Sequence, residues 1–294
     1  MRVTQNMLAN SSLKHISESY RRLDKYSDQL STGKKITRPS DDPVVAMKGM
    51  FYRTNLTEVN QYQRNLSELS LWMDNSDSSL DQANSSLQRM RELLLQAKNG
   101  TNTADERTAI ATEMDQLKQD LASVANTKVG DKYIFNGTDI DNPPVSIDSS
   151  TGQVTVKTNN NDFNVEVGPN VKLRANIHPG NIFSAAMFSD IENIISDLKS
   201  DNITNLDASL TKLDTHLDNL SAERSDLGAR SNRLDMISSR LDSQEVFANQ
   251  VISDNEDADI EKVITDLKTQ ESVHRAALSV GAQIIQPTLM DFLK

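Results

Sequence analysis

The sequence predicts a mainly α protein: an elongated antiparallel helical bundle or coiled coil built from both chain ends, carrying a small inserted β-rich domain. Three observations predict it. Apolar residues recur in steps of three and four over four long segments. Aromatic residues make up only 4% of the 294 residues, too few for an ordinary globular core yet enough for helical seams filled by Leu, Ile and Ala. Residues 133–186 break the helical pattern and alternate with period two.

The first helical segment carries Ala9, Leu13, Ile16, Tyr20, Leu23, Ser27 and Leu30 at heptad spacing. Pro39 and the cluster Ser40-Asp41-Asp42 interrupt it. Asp42 is a good N-cap, and Pro43 suits the first turn of a new helix. The second stripe is the clearest: Val59, Tyr62, Leu66, Leu69, Met73, Ser76, Leu80, Ala83, Leu87, Met90, Leu94 and Ala97. A helix over that stripe is about 58 Å long. Asn99-Gly100 supplies a stop, and Thr103-Ala104-Asp105-Glu106 reads as a capping box. It opens a return helix through Ile110, Met114, Leu117, Leu121 and Val124, which Gly130 is expected to end.

Short strands follow. Tyr133-Ile134-Phe135 runs into the turn signal Asn136-Gly137, and Pro143-Pro144 excludes helix. Ser149-Ser150-Thr151-Gly152 separates Val145–Asp148 from Val154–Val156. Phe163, Val165 and Val167 alternate, Gly168-Pro169-Asn170 turns the chain, and Val171, Leu173 and Ala175 alternate again. Helical spacing resumes near Ile182. A long series then runs from Leu206 through Leu210, Leu213, Leu217 and Leu220 to Ile252, with Arg224 and Glu245 inside the apolar register. Either the stripe drifts toward solvent there, or those side chains make polar contacts that fix register. The last stripe holds Ile260, Ile264, Leu267, Leu278, Ile285 and Phe292, interrupted by Glu271, His274 and Gly281. Each chain end thus offers one amphipathic helix without a core of its own, so it must bury its stripe on the other end or on neighbouring copies.

The chain has no cysteine, which excludes disulfides, thiolate metal sites and a cysteine nucleophile. Net charge is −11, and the first 55 residues are net basic. Those cations alternate with acids and apolar positions, as on a solvated helix face, and no nucleic-acid-binding motif accompanies them. No run is long and apolar enough to span a membrane, and the N-terminus lacks the apolar core of a cleaved signal peptide. Gly33-Lys34-Lys35 lacks the second glycine of a phosphate loop, because Asp28 stands there. Asp254–Asp259 resembles a calcium loop only until its sixth position, where Asp259 replaces the required glycine; a capped helix start fits better. His15, His178, His216 and His274 are far apart and form no metal motif, and no serine elbow occurs. No catalytic residue, cofactor or metal ligand is assigned.

Several short elements together resemble the flagellin superfamily of axial proteins. Leu30-Ser31-Thr32-Gly33-Lys34-Lys35-Ile36 is similar to its N-terminal element, and Glu223–Leu234, with Arg224, Gly228, Asn232 and Arg233, to its C-terminal one. Arg38-Pro39-Ser40-Asp41-Asp42-Pro43, Gln61–Asn65 and Tyr133-Ile134-Phe135-Asn136-Gly137-Thr138 resemble the branch that joins hook to filament rather than flagellin itself.

The resemblance implies a structural subunit of the bacterial flagellum, not an enzyme. It implies export through the flagellar type III apparatus and folding at the distal end. Expected partners are the first hook-associated protein, flagellin, the filament cap during assembly, sister copies in a ring, and an export chaperone on roughly 255–294, with no nucleic acid and no membrane. Expected domains are an inner terminal coiled coil (1–40 with 255–294), a long-helix bundle (41–132 with 187–254) and an outer β-rich insertion (133–186). Candidate packing residues of the terminal helices are Leu13, Ile16, Tyr20, Leu23, Leu30, Ile260, Ile264, Leu267, Leu278, Ile285 and Phe292. Their stripes are short and interrupted, so the isolated ends are expected to gain too little from burial to offset chain ordering. Bulk filament flagellin and a helical signalling module are the competing readings.

Overall fold

The computed structural model describes residues 5–99, 102–148, 152–202 and 204–285. Its elements are α1 (Gln5–Thr32), α2 (Pro43–Lys98), α3 (Ala104–Ala125), β1 (Lys128–Val129), β2 (Lys132–Tyr133), β3 (Val145–Ile147), β4 (Val154–Val156), β5 (Asn164–Gly168), β6 (Val171–Arg174), α4 (Pro179–Ile182), α5 (Ala185–Lys199), α6 (Leu206–Glu256) and α7 (Ile260–Ile285). They form two compact units: residues 59–243, and residues 1–58 with 244–294. The expected helical plan with small antiparallel strand pairs is what the chain adopts.

In the 59–243 unit the α2 stripe is buried at every predicted position except Tyr62, which is half-buried. Even Ser76 is 1% exposed; its hydroxyl donates to the carbonyl of Trp72 one turn earlier, so its burial leaves no free proton. On α6, Leu206, Leu213, Leu220, Leu227, Leu234 and Leu241 are buried, a seventh-residue repeat that marks a coiled-coil seam. Polar pairs pin α2 against α6: Lys98 with Asp207, Arg91 with Asp214 at 2.6 Å, Arg224 with Asp81 at 2.6 Å, and Gln63 with Asp242 at 3.0 Å. From each pair to the next, α2 descends by as many residues as α6 climbs. The two helices therefore run antiparallel in one unslipped register.

The capping box forms as read: Thr103 Oγ1 accepts from the Glu106 amide, and the Glu106 carboxylate accepts from the Thr103 amide. The return helix ends earlier than Gly130. Asn126 closes it, because its side chain is taken by the backbone of Val145, accepting at 3.2 Å and donating at 2.7 Å. Gly130, at φ 62°, instead turns the β1–β2 hairpin. The stops expected at Gly100 and at Ser149–Thr151 lie outside the described residues.

Three antiparallel hairpins follow, β1–β2, β3–β4 and β5–β6, each a separate two-stranded sheet. None can bury itself alone: β3 and β4 meet α3 and α5, and the β5–β6 pair accepts hydrogen bonds from Asn65 of α2 and Arg230 of α6. Val145, Val167 and Leu173 enter the same core as Ile191, Ile194 and Leu198 of α5. Lys118 of α3, 5% exposed, is held by Asp115 at 3.0 Å and by the carbonyl of Gly152 at 3.1 Å, tying the β3–β4 loop down. Tyr133-Ile134-Phe135 is strand only at Tyr133; Ile134 and Phe135 then turn inward, and Phe135 packs edge-on against Phe183 at 5.1 Å.

The unit formed by 1–58 and 244–294 has a different character. Among the described residues, all buried hydrophobic side chains but Ala248 and Val263 belong to the other unit. Here α1 and α7 pack against each other, and the beginning of α2 meets the end of α6.

Candidate assembly surface

The terminal pair begins from a mismatch between its apolar stripe and its contact line. The line that faces α7 passes through Ile16, Leu23 and Ser19, and only Ser19 is fully buried. Its hydroxyl accepts from Gln270 Nε2 at 2.8 Å and lies 3.2 Å from His274 Nδ1. One hydroxyl thus serves both neighbours, accepting from the amide and standing within hydrogen-bond distance of the imidazole. The Tyr20 ring meets His274 edge-on at 5.6 Å. Ile16 Cδ1 lies 3.1 Å from where a β-carbon on Gly281 would stand, so the helices approach closely there. On α7 Val263 is buried and Leu267 half-buried.

The structure divides the predicted stripe. Ile16, Leu23 and Leu267 are half-buried, whereas Leu13, Tyr20, Leu30, Ile260, Ile264 and Leu278 are exposed. Ile285 is the last residue of α7, and Phe292 lies outside the described residues. Heptad spacing alone did not signal that the first turns of α2 are apolar on both sides. Gly49, Tyr52 and Leu56 face inward, while Val44, Met47, Met50 and Phe51 stand out, Phe51 at 68% exposure. A helix apolar all round belongs in an interior. Val246 and Phe247 of α6 are exposed as well. Of the large hydrophobic residues exposed among the described residues, only Leu71, Leu95, Ile147 and Met236 lie in the 59–243 unit. Exposure on this scale marks an interaction surface.

The family-like loop sits beside this surface. Gly33, at φ 68°, ends α1, and its carbonyl accepts from the Ala258 amide at 2.8 Å. Asp41 Oδ2 accepts from the amides of Arg38 at 2.9 Å and Thr37 at 3.2 Å; those backbone bonds hold its carboxyl below the usual range. Asp42 Oδ1 caps α2 through the amides of Val44 and Val45. Arg38 and Pro39 are exposed. Asp259 caps α7 through the Lys262 amide at 3.1 Å, so Asp254–Asp259 is a helix junction, as its missing glycine indicates. In the other unit, Arg224 does not drift into solvent: it joins Asp77 at 2.9 Å and Asp81 at 2.6 Å, which raises its pKa. Glu245 is half-buried, and Gly228, Asn232 and Arg233 are exposed.

The histidines take structural positions. His216 meets Asp190 at 3.1 Å, His178 meets Asp162 at 3.3 Å, and His15 lies 3.3 Å from Ser11. Among the described residues no group of three His, Cys, Asp or Glu side chains could hold a metal ion, and no helix is long and apolar enough to cross a membrane.

Among the described residues, α1 and α7 bury little apolar surface against each other and leave apolar faces exposed. Residues 3–139 match the bacterial flagellin N-terminal helical region, and residues 210–293 the bacterial flagellin C-terminal helical region. The chain belongs to the flagellin family. It is 31% identical over 147 residues to flagellar hook-associated protein 3 of Escherichia coli, covering 50% of this chain and 46% of that protein. It is 29% identical over 153 residues to flagellar hook-associated protein 3 of Salmonella typhimurium, covering 52% and 48%. A flagellin of Clostridium tyrobutyricum is 27% identical over 176 residues, covering 60% and 44%. The chain spans just under half the length of these relatives. Among solved structures, a flagellar hook-associated protein from Vibrio parahaemolyticus superposes with a TM-score of 0.68 at 24% identity, over 74% of this chain and 100% of that one. FlgL of Bacillus cereus superposes with a TM-score of 0.60 at 22% identity, over 69% and 99%. These two likenesses concern the fold.

Proposed function

We propose that this chain is a structural subunit of the bacterial flagellum that forms the junction layer between hook and filament, and that it has no catalytic role. The observation that carries the reading is the segregation of apolar residues: the 59–243 unit holds the core, and the unit of both chain ends holds the exposed faces. A chain built this way has a stable body and gains its remaining burial from sister copies and from the axial proteins above and below. On this reading Leu13, Tyr20, Leu30, Ile260, Ile264 and Leu278 face neighbours, while Ile16, Leu23 and Leu267 line the pair itself. The partners are the first hook-associated protein, flagellin and other copies in a ring, under the filament cap during growth.

Such a chain passes the type III export channel unfolded, and an export chaperone covers 255–294 until then. Apolar faces that are unprotected before assembly are a hazard in the cytoplasm, which gives the chaperone its physical reason. The inner terminal, helical-bundle and outer β-rich regions fit the same scheme. The names of the two hook-associated relatives support the junction over the bulk filament. Deleting the coding sequence is expected to leave hooks without attached filaments, with flagellin shed into the medium. The chain is expected as a trace component of sheared flagella. Abundance equal to the main filament protein would instead make it a flagellin.

A further inference from the structure

Glu256 is the last residue of α6 and is 4% exposed, the most deeply placed carboxylate among the described residues of its unit. Arg53 of α2 donates to its Oε2 at 2.5 Å, and Lys34 stands 3.7 Å away. A buried carboxylate without such partners is strongly destabilising. The space for it is made by Gly49. A β-carbon there would lie 2.4 Å from Glu256 Oε1, so any side chain displaces the carboxylate.

Backbone bonds surround this ion cluster. The Lys35 amide donates to the Glu256 carbonyl at 2.6 Å, and the Ala258 amide donates to the Gly33 carbonyl at 2.8 Å. Lys34 Nζ reaches Asp257 at 2.6 Å, Lys35 Nζ reaches the Asp254 carbonyl at 2.6 Å, and Asn255 Nδ2 reaches the Val45 carbonyl at 3.0 Å. The segment that leaves α1 and the segment that enters α7 are thus joined by a short antiparallel bridge at Lys34 and Asp257. The bridge forms without any apolar burial at the exposed faces.

We infer that Glu256 is a positioning residue for assembly: its clasp with Gly49, Arg53 and Lys34 joins the bases of the two terminal helices within the single chain, before their faces have a neighbour to pack on. This deepens the junction reading and rests on it. Both helices belong to one chain, so their meeting is intramolecular in any case; holding their bases together raises the effective concentration of each for the other. The ordering needed at the growing tip is correspondingly smaller.

The test follows amide exchange at Lys35 and Ala258 in the purified single chain, with filament attachment scored in cells. In the natural chain both amides should exchange at least about tenfold more slowly than in Glu256→Ala, with the melting of the 59–243 body unchanged. Glu256→Gln should fall between them. Gly49→Ala should match Glu256→Ala, and adding it to Glu256→Ala should have no further effect, because the methyl group acts only through the carboxylate. Attachment should fall in the same order. Equal exchange in the natural chain and Glu256→Ala, or additive Gly49→Ala effects, overturns the clasp. A natural chain that does not link filaments to hooks, with the exchange pattern intact, instead removes the junction reading and leaves the clasp standing.

Discussion

Arg224 of α6 holds two aspartates of α2 at once, Asp77 at 2.9 Å and Asp81 at 2.6 Å, one helical turn apart. A guanidinium that spans a turn can do so in one axial alignment only, so this contact reads out the register that Arg91–Asp214 and Gln63–Asp242 repeat elsewhere. Arg224→Ala should destabilise the chain by no more than about 1 kcal/mol, because the side chain is about one-third exposed and screened. Register should loosen instead. Pairwise spin-label distances between α2 and α6 should broaden in the variant and stay narrow in the natural chain.

The seam is a different matter. Leu80 and Leu87 are 0% and 1% exposed. Leu80→Asp or Leu87→Asp buries a carboxylate in an apolar seam and should destabilise by on the order of 4 kcal/mol. Thermal melting followed by circular dichroism checks it. An unchanged melt contradicts the buried seam.

Gly137 should tolerate no side chain. Its φ is 57°, and an added β-carbon would lie 2.1 Å from the Asn159 carbonyl oxygen. Asn136 beside it is 1% exposed, accepts from the Asn159 amide at 3.0 Å and donates to the Asn142 carbonyl at 3.0 Å. Gly137→Ala should lower stability by about 3 kcal/mol, combining left-handed strain with the displaced loop. Urea titration measures it.

Acid should weaken the contact between α5 and α6. Burial raises the pKa of Asp190, but hydrogen bonds from Lys212 and His216 outweigh it and hold the carboxyl below its ordinary 3.8. A carboxylate depressed on folding contributes stability that is full above its unfolded value and is lost as pH falls through the folded one. The natural chain should therefore lose stability as pH drops below about 4, and Asp190→Asn should flatten that limb. Parallel pH–melting curves for the two chains contradict the assignment.

These outcomes rest on features of unequal visibility in the sequence. The α2 seam was legible because Val59–Ala97 obeys one spacing throughout. The capping box and the Asp42 cap were legible because they are local. The end of α3 was not, since Asn126 is claimed by Val145 nineteen residues later. The Glu256 clasp could not be read either. It joins Lys34, Gly49 and Arg53 to a residue about two hundred positions away, and in the sequence Glu256 is one acid in an acidic run. The terminal stripes were visible as stripes, but spacing cannot tell a face that meets α7 from one that meets another molecule. Ser19, the most buried point of α1, is polar and lies off the stripe.

Because the chain has no cysteine, single cysteines can probe the exposed faces directly. Phe51→Cys and Leu278→Cys should react rapidly with a maleimide in the purified single chain and become protected once the protein sits between hook and filament. An Asp131→Cys control, on the exposed β1–β2 turn, should react alike in both states. If the thiols introduced in place of Phe51 and Leu278 label as fast in the assembled junction as in solution, those faces are not buried by neighbours, and the assembly account is wrong.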